Sequence, residues 1–150
     1  MYELSVTRLI NAAPDKVWQV LTERTNEWWC PKPWRAEVNW GPRTPGGQTH
    51  TTMYGPAGEK NEHPGFILAW DEGRRISVTD AIEGDLQPSG PFMLGIWEIA
   101  AEEVNGKGGT RYTGRARHWT SESMAHHKEM GFDEGWGIMA DQFKALCERA

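Results

Sequence analysis

The sequence predicts an α+β protein in which an antiparallel sheet is covered on one face by a long C-terminal helix. Three observations carry that prediction. Short runs of strand-like composition fill most of residues 35–119 and are punctuated by Gly, Pro, Asn and Asp. The connections between them are short, as at Asp71-Glu72-Gly73 and Asn105-Gly106-Lys107-Gly108-Gly109, which suits hairpins and not the crossovers of a parallel sheet. Residues 121–149 form the one amphipathic segment long enough to cover a sheet, about 43 Å at 1.5 Å per residue if helical throughout.

Taken in order, residues 4–10 read as a strand, and Asn11-Ala12-Ala13-Pro14 stops it and opens a helix with Pro14 in the first turn. Val17, Trp18, Val20 and Leu21 recur at helical spacing up to about Thr25. Past Cys30, Pro31 and Pro33 force turn or extended backbone, so residues 27–34 form a loop bearing Trp28, Trp29 and Trp34. Strands follow near residues 35–40, 48–54, 65–70, 75–82, 92–102 and 110–119, about seven with the first. In the terminal helix Met124, His127, Gly131, Gly135, Met139, Phe143 and Leu146 share a stripe, with Phe132 and Trp136 along its edge. An interior Gly costs about 1 kcal/mol relative to Ala, so Gly131, Gly135 and Gly137 mark a bend or a close approach of backbone.

At 150 residues the chain fits one domain, 1–150, without linker, repeat or low-complexity tract. Sixteen basic against 21 acidic residues leave a net charge of −5 with the basic groups dispersed, which argues against nucleic acid as a partner. Cys30 and Cys147 lack metal-ligand spacing and make no disulfide framework, which favours reduced thiols and a cytoplasmic protein. No segment reads as a secretory signal or a membrane span. Nine tryptophans are the compositional outlier, and such rings either fill a core or line a cavity.

Five stretches together resemble the START-like (SRPBCC) superfamily: Ala13-Pro14-Asp15-Lys16-Val17-Trp18, Trp28-Trp29-Cys30-Pro31, residues 75–81, Ala116-Arg117-His118-Trp119, and residues 127–136. Within it the chain is similar to the branch of the C-terminal domain of the heat-shock chaperone ATPase activator. The resemblance implies a helix-grip fold: a curved, seven-stranded antiparallel sheet wrapped around the C-terminal helix, with a cavity between. Proteins of this kind include carriers of hydrophobic ligands, polyketide cyclases or aromatases, and co-chaperones. Branch members often carry Gly where this chain has Cys30.

Strand alternation sets Met93, Gly95, Trp97 and Ile99 on one face, matched by Tyr112, Gly114, Ala116 and His118, while Arg111, Arg115 and Arg117 face water. Gly95, Gly114 and Ala116 are small where a solid core wants volume, so they either admit the helix closely or leave a hollow. Thr49, Thr51 and Met53 share a face, as do Ile76, Val78 and Asp80. The candidate ligand-binding residues are Trp29, Thr51, Met53, Asp80, Met93, Trp97, Tyr112, His118, Met124, His127 and Gly131. Asp80, His118 and Tyr112 are the polar handles of this apolar set. Asp80 also fits a solvated strand end, His127 a hydrogen-bonded core histidine, and Trp28, Trp29 and Trp34 loop anchors.

His126 and His127 point about 100° apart on a helix, so they do not chelate one metal, and His63 lies in a turn beside Pro64. Cys30 has no sequence-adjacent base, and no phosphate-cradling glycine loop is present. No cofactor or metal is implied. Three functional readings are carried forward: binding of a small hydrophobic or aromatic ligand between sheet and helix; a cyclase-type enzyme using an inward acid or base such as Asp80 or His118; and a chaperone-interaction domain with a protein partner.

Overall fold

The hairpin-rich middle of the chain builds a curved seven-stranded antiparallel sheet in the computed structural model, which describes residues 1–90 and 92–150. The strands are β1 (Tyr2–Ile10), β2 (Arg35–Asn39), β3 (Gln48–Tyr54), β4 (Lys60–Asp71), β5 (Arg75–Thr79), β8 (Leu94–Val104) and β9 (Lys107–His118). Between β5 and β8 the two-residue strands β6 (Ile82–Glu83) and β7 (Gln87–Pro88) pair only with each other. The sheet order is β1-β9-β8-β5-β4-β3-β2. From β2 to β9 the sheet is thus a meander, and β1 closes it by pairing with β9 from Tyr2↔His118 to Ile10↔Thr110.

α1 (Pro14–Glu23) links β1, at one edge, to the strand at the other edge, with Pro14 in its first turn and Val17, Trp18, Val20 and Leu21 buried. The buried Thr110 hydroxyl donates to the Ala12 carbonyl at 2.8 Å, tying the start of α1 to β9. A short 3-10 turn, Thr25–Glu27, leads into the tryptophan loop. A register shift between Ile67 and Ala69 in β4 bends the sheet.

The terminal segment is two helices and not one. α2 (Ser121–Glu129) is capped by the Thr120 hydroxyl, which accepts from Ser123 N at 3.1 Å, and α3 (Phe132–Arg149) carries the long amphipathic stripe. Gly131 separates them at φ +95°, a left-handed conformation that ends one helix and starts the next. α3 therefore spans about 27 Å. The other two helix glycines part ways: the Gly137 carbonyl lies against Arg8 Nη2 at 3.4 Å, and Gly135 has open space beside it. His63 also departs from the sequence reading, since β4 starts at Lys60 and runs through Pro64.

On the outer face Arg115 bonds Glu98 and Glu3, Arg117 bonds Glu3, and Arg111 bonds Glu102, lacing β1, β9 and β8 together. The inner face of β8 and β9 is filled over Gly95 and Gly114. Gly95 faces Ala116 and Trp97 faces Gly114 across β8 and β9, as alternation requires. The volume over the small residues is taken by rings: a Cβ on Gly95 would lie 2.6 Å from the Trp97 indole, and one on Gly114 only 2.8 Å from the Tyr112 hydroxyl. Phe143 of α3 fills the centre, its ring 4.7 Å from Trp28 and 4.8 Å from Tyr112.

Candidate functional site

Where α3 begins, the sheet and the helix stand apart and enclose a cavity of about 540 Å³. Its floor comes from three strands: the alternate residues Thr49, Thr51 and Met53 on β3, Gly65 on β4, and Val78 and Thr79 at the end of β5. Gly131, Phe132, Gly135, Trp136 and Met139 form its roof, and no added Cβ at Gly135 would touch anything within 4 Å. Exposed His63, Glu83, Gly90 and Met130 stand at the rim. No Lys or Arg is among the described lining residues.

The side facing the packed half is aromatic. Trp28, Trp29, Trp40, Trp97 and Trp136 all line the cavity and form one connected cluster, with Trp97 and Trp136 stacked at 6.0 Å and Trp29 edge-on to both. The chain of rings continues through Trp40 and Trp70 to Trp18, away from the cavity. Hydrogen bonds fix its far end: Glu72 accepts from Trp18 Nε1 at 2.8 Å and from Trp70 Nε1 at 2.7 Å, and Thr25 Oγ1 accepts from Trp40 Nε1. Bonds from Trp70 and Trp18 hold the Glu72 carboxyl below its usual range. Trp28 Nε1 is buried without a hydrogen-bond partner among the described residues.

The tryptophan loop is held over the cavity by Gln142 of α3. Its Nε2 donates to the carbonyls of Trp28 and Cys30, and its Oε1 accepts from Lys32 N. Cys30 has φ +82°, a conformation that favours glycine, and burial pushes its thiol up to about 11. It is a protonated thiol in the wall and a poor nucleophile at neutral pH.

Eight of the sequence candidates meet at this cavity: Trp29, Thr51, Met53, Asp80, Met93, Trp97, His127 and Gly131. Asp80 is half-buried, and its Oδ1 accepts from Phe92 N at 2.8 Å and Met93 N at 3.3 Å, so it fastens the segment that leads into β8. Three candidates lie off the wall. Tyr112 is buried in the packed half between Trp28 and Phe143, where desolvation drives its hydroxyl's pKa far up. Met124 sits half-buried on α2, before the Gly131 break turns the helical stripe into the cavity. His118 is one residue behind the wall: its Nε2 is 2.9 Å from Nδ1 of His127, which lines the cavity, and its Nδ1 is 3.1 Å from the Tyr2 carbonyl. Burial, then the neighbouring His118 and His126, lower the His127 pKa to about 4.

Sequence reasoning missed Phe92, whose ring packs 4.7 Å from His127, and Gln142, which carries no motif or periodic signal. Only the distance between α3 and the loop reveals what Gln142 does. No group of three metal-binding side chains occurs among the described residues. No helix among them is long and apolar enough to cross a membrane.

A curved antiparallel sheet gripping a C-terminal helix over a lined cavity defines a helix-grip protein. The sequence profile of the activator of Hsp90 ATPase homolog 1-like proteins matches residues 11–148, and the chain belongs to that family. It is similar in sequence and structure to a protein of Nitrosomonas europaea, 32% identical over 98% of this chain and 94% of that one, with a TM-score of 0.83. A Mycobacterium smegmatis protein is 26% identical over 97% and 90% of the two chains, with a TM-score of 0.74. The AHSA1 protein of Silicibacter pomeroyi, 16% identical over 96% of each chain with a TM-score of 0.68, shares the fold. No curated protein matches the sequence.

Proposed function

We propose that this chain binds one small, largely apolar and aromatic molecule in the cavity between β3–β5 and the start of α3. The cavity itself supports the reading most: about 540 Å³ of space beside a β8–β9 region in which rings fill the volume over Gly95 and Gly114. That volume lies in the range of small-molecule sites, roughly 300–1,000 Å³, and combines an apolar wall with a few polar groups, as such sites do. Five indoles supply flat, rigid surface for a ring, and Asp80, His127 and the threonines supply orientation. The two unpaired, buried thiols fit a cytoplasmic, single-domain protein.

The test is a titration with N-phenyl-1-naphthylamine, a neutral probe whose emission rises in apolar surroundings. Saturable one-to-one binding with energy transfer from tryptophan is expected, and a signal no greater than buffer would refute the reading. The cyclase-type reading gains support from the cavity-facing His127, but a base of pKa about 4 is weakly matched to proton abstraction at neutral pH. The chaperone reading rests on the family's description alone.

A further inference from the structure

The hydrogen bonds behind the cavity wall fix which atom His127 offers to a ligand. A backbone carbonyl can only accept, so the Tyr2 carbonyl, 3.1 Å from His118 Nδ1, places a proton on that nitrogen. With a single proton, held on Nδ1 by that carbonyl, the His118 ring presents a lone pair on Nε2, and His127 Nδ1, 2.9 Å away, donates to it. His127 is 8% exposed and held neutral by its burial, so its single proton is spent on that bond. Its Nε2, on the far side of the ring from His118, is a bare acceptor with no partner among the described residues. The ring lies on the cavity wall, braced by Phe92 at 4.7 Å and Phe132 at 5.1 Å.

The rest of the wall agrees in sign. Asp80 contributes a carboxylate with Oδ1 engaged by Phe92 N and Met93 N, Glu83 stands at the rim, and no described Lys or Arg faces the space. An anion would be buried there without a counter-charge, which is costly, whereas a donor would satisfy an acceptor otherwise left empty.

Resting on the reading that the cavity takes a small aromatic molecule, we propose that it selects an uncharged one whose ring bears a hydroxyl or N–H group, seated with that donor on His127 Nε2. Carboxylated and phosphorylated counterparts are excluded by the same wall.

Calorimetric titration of the intact protein at pH 7.5 with 2-naphthol, 2-methoxynaphthalene, naphthalene and 2-naphthoate tests this without any substitution. 2-Naphthol is expected to bind roughly 10-fold more tightly than 2-methoxynaphthalene, which keeps the ring and loses the donor. 2-Naphthoate should bind more weakly than naphthalene. Equal affinity for 2-naphthol and 2-methoxynaphthalene, or preference for 2-naphthoate, overturns the selection, as does failure of all four to bind. Saturable N-phenyl-1-naphthylamine binding in the same protein would leave the cavity reading standing in each of those cases. Two-bond proton–nitrogen NMR correlations of His127 give a second reading: the proton is expected on Nδ1 with Nε2 bare, and a proton on Nε2 overturns the proposal. His127→Phe should bring the ratio of 2-naphthol to 2-methoxynaphthalene affinity close to one.

Discussion

A Cβ added to Gly114, beneath the β8–β9 half of the sheet, would meet the Tyr112 hydroxyl at 2.8 Å and the Trp136 ring at 3.4 Å, whereas one added to Gly135, above the β3–β5 half, would meet nothing within 4 Å. Both glycines face the interior of one molecule. On one side the glycine makes room for rings that fill the space; on the other it leaves the space empty. The same side-chain type therefore marks a solid core in one region and a hollow in the other, and the tryptophans form the boundary between them.

The comparison predicts opposite responses to substitution. The largest effect belongs to Phe143→Ala in the solid half, where the ring is wholly buried: a loss of about 3–5 kcal/mol in urea unfolding. Met53→Ala, on the cavity floor, should cost under about 1 kcal/mol, because little is packed against that side chain on its inner side. Equal costs would mean that the two halves are packed alike. Gly114→Ala should destabilise by roughly 1–3 kcal/mol through overpacking, and Gly95→Ala likewise against the Trp97 ring.

Acid should act through His127. The folded chain holds its pKa near 4, against an ordinary 6.5 in the unfolded chain. In that interval the unfolded state binds a proton that the folded state refuses, so stability is full above 6.5 and falls as pH drops towards 4. The loss is roughly 1–3 kcal/mol and should be absent from the stability-against-pH curve of His127→Phe; a wild-type slope retained in that variant would assign the acid sensitivity elsewhere. The last expected effect is a gain: Gly135→Ala should stabilise by about 1 kcal/mol, since it improves helix propensity and meets no neighbour.

Much of the solid half was legible in the sequence. Period-two alternation put Gly95, Trp97 and Ile99 on the same inner face as Tyr112, Gly114 and Ala116, and β8 and β9 pair so that Gly95 meets Ala116, Trp97 meets Gly114 and Ile99 meets Tyr112. The helical stripe put Met139, Phe143 and Leu146 inside, where they are buried. The break at Gly131 was legible as a bend but not as two helices, because propensity charges an interior glycine the same amount whether it bends a helix or ends it. What the sequence left open was which polar groups meet. His118 and His127 are nine residues apart on a strand and a helix, and periodicity says nothing of the angle between those elements. Tyr112 shares an inward face with the cavity strands, yet it stands under the part of α3 that reaches the sheet, so a common face did not mean a common space.

The most direct test of the hollow is Gly135→Leu, which fills the cavity from the roof without disturbing the packed half. The account predicts a protein that unfolds at the same urea concentration as wild type or higher and no longer binds N-phenyl-1-naphthylamine. A folded variant that binds the probe with unchanged affinity would contradict it.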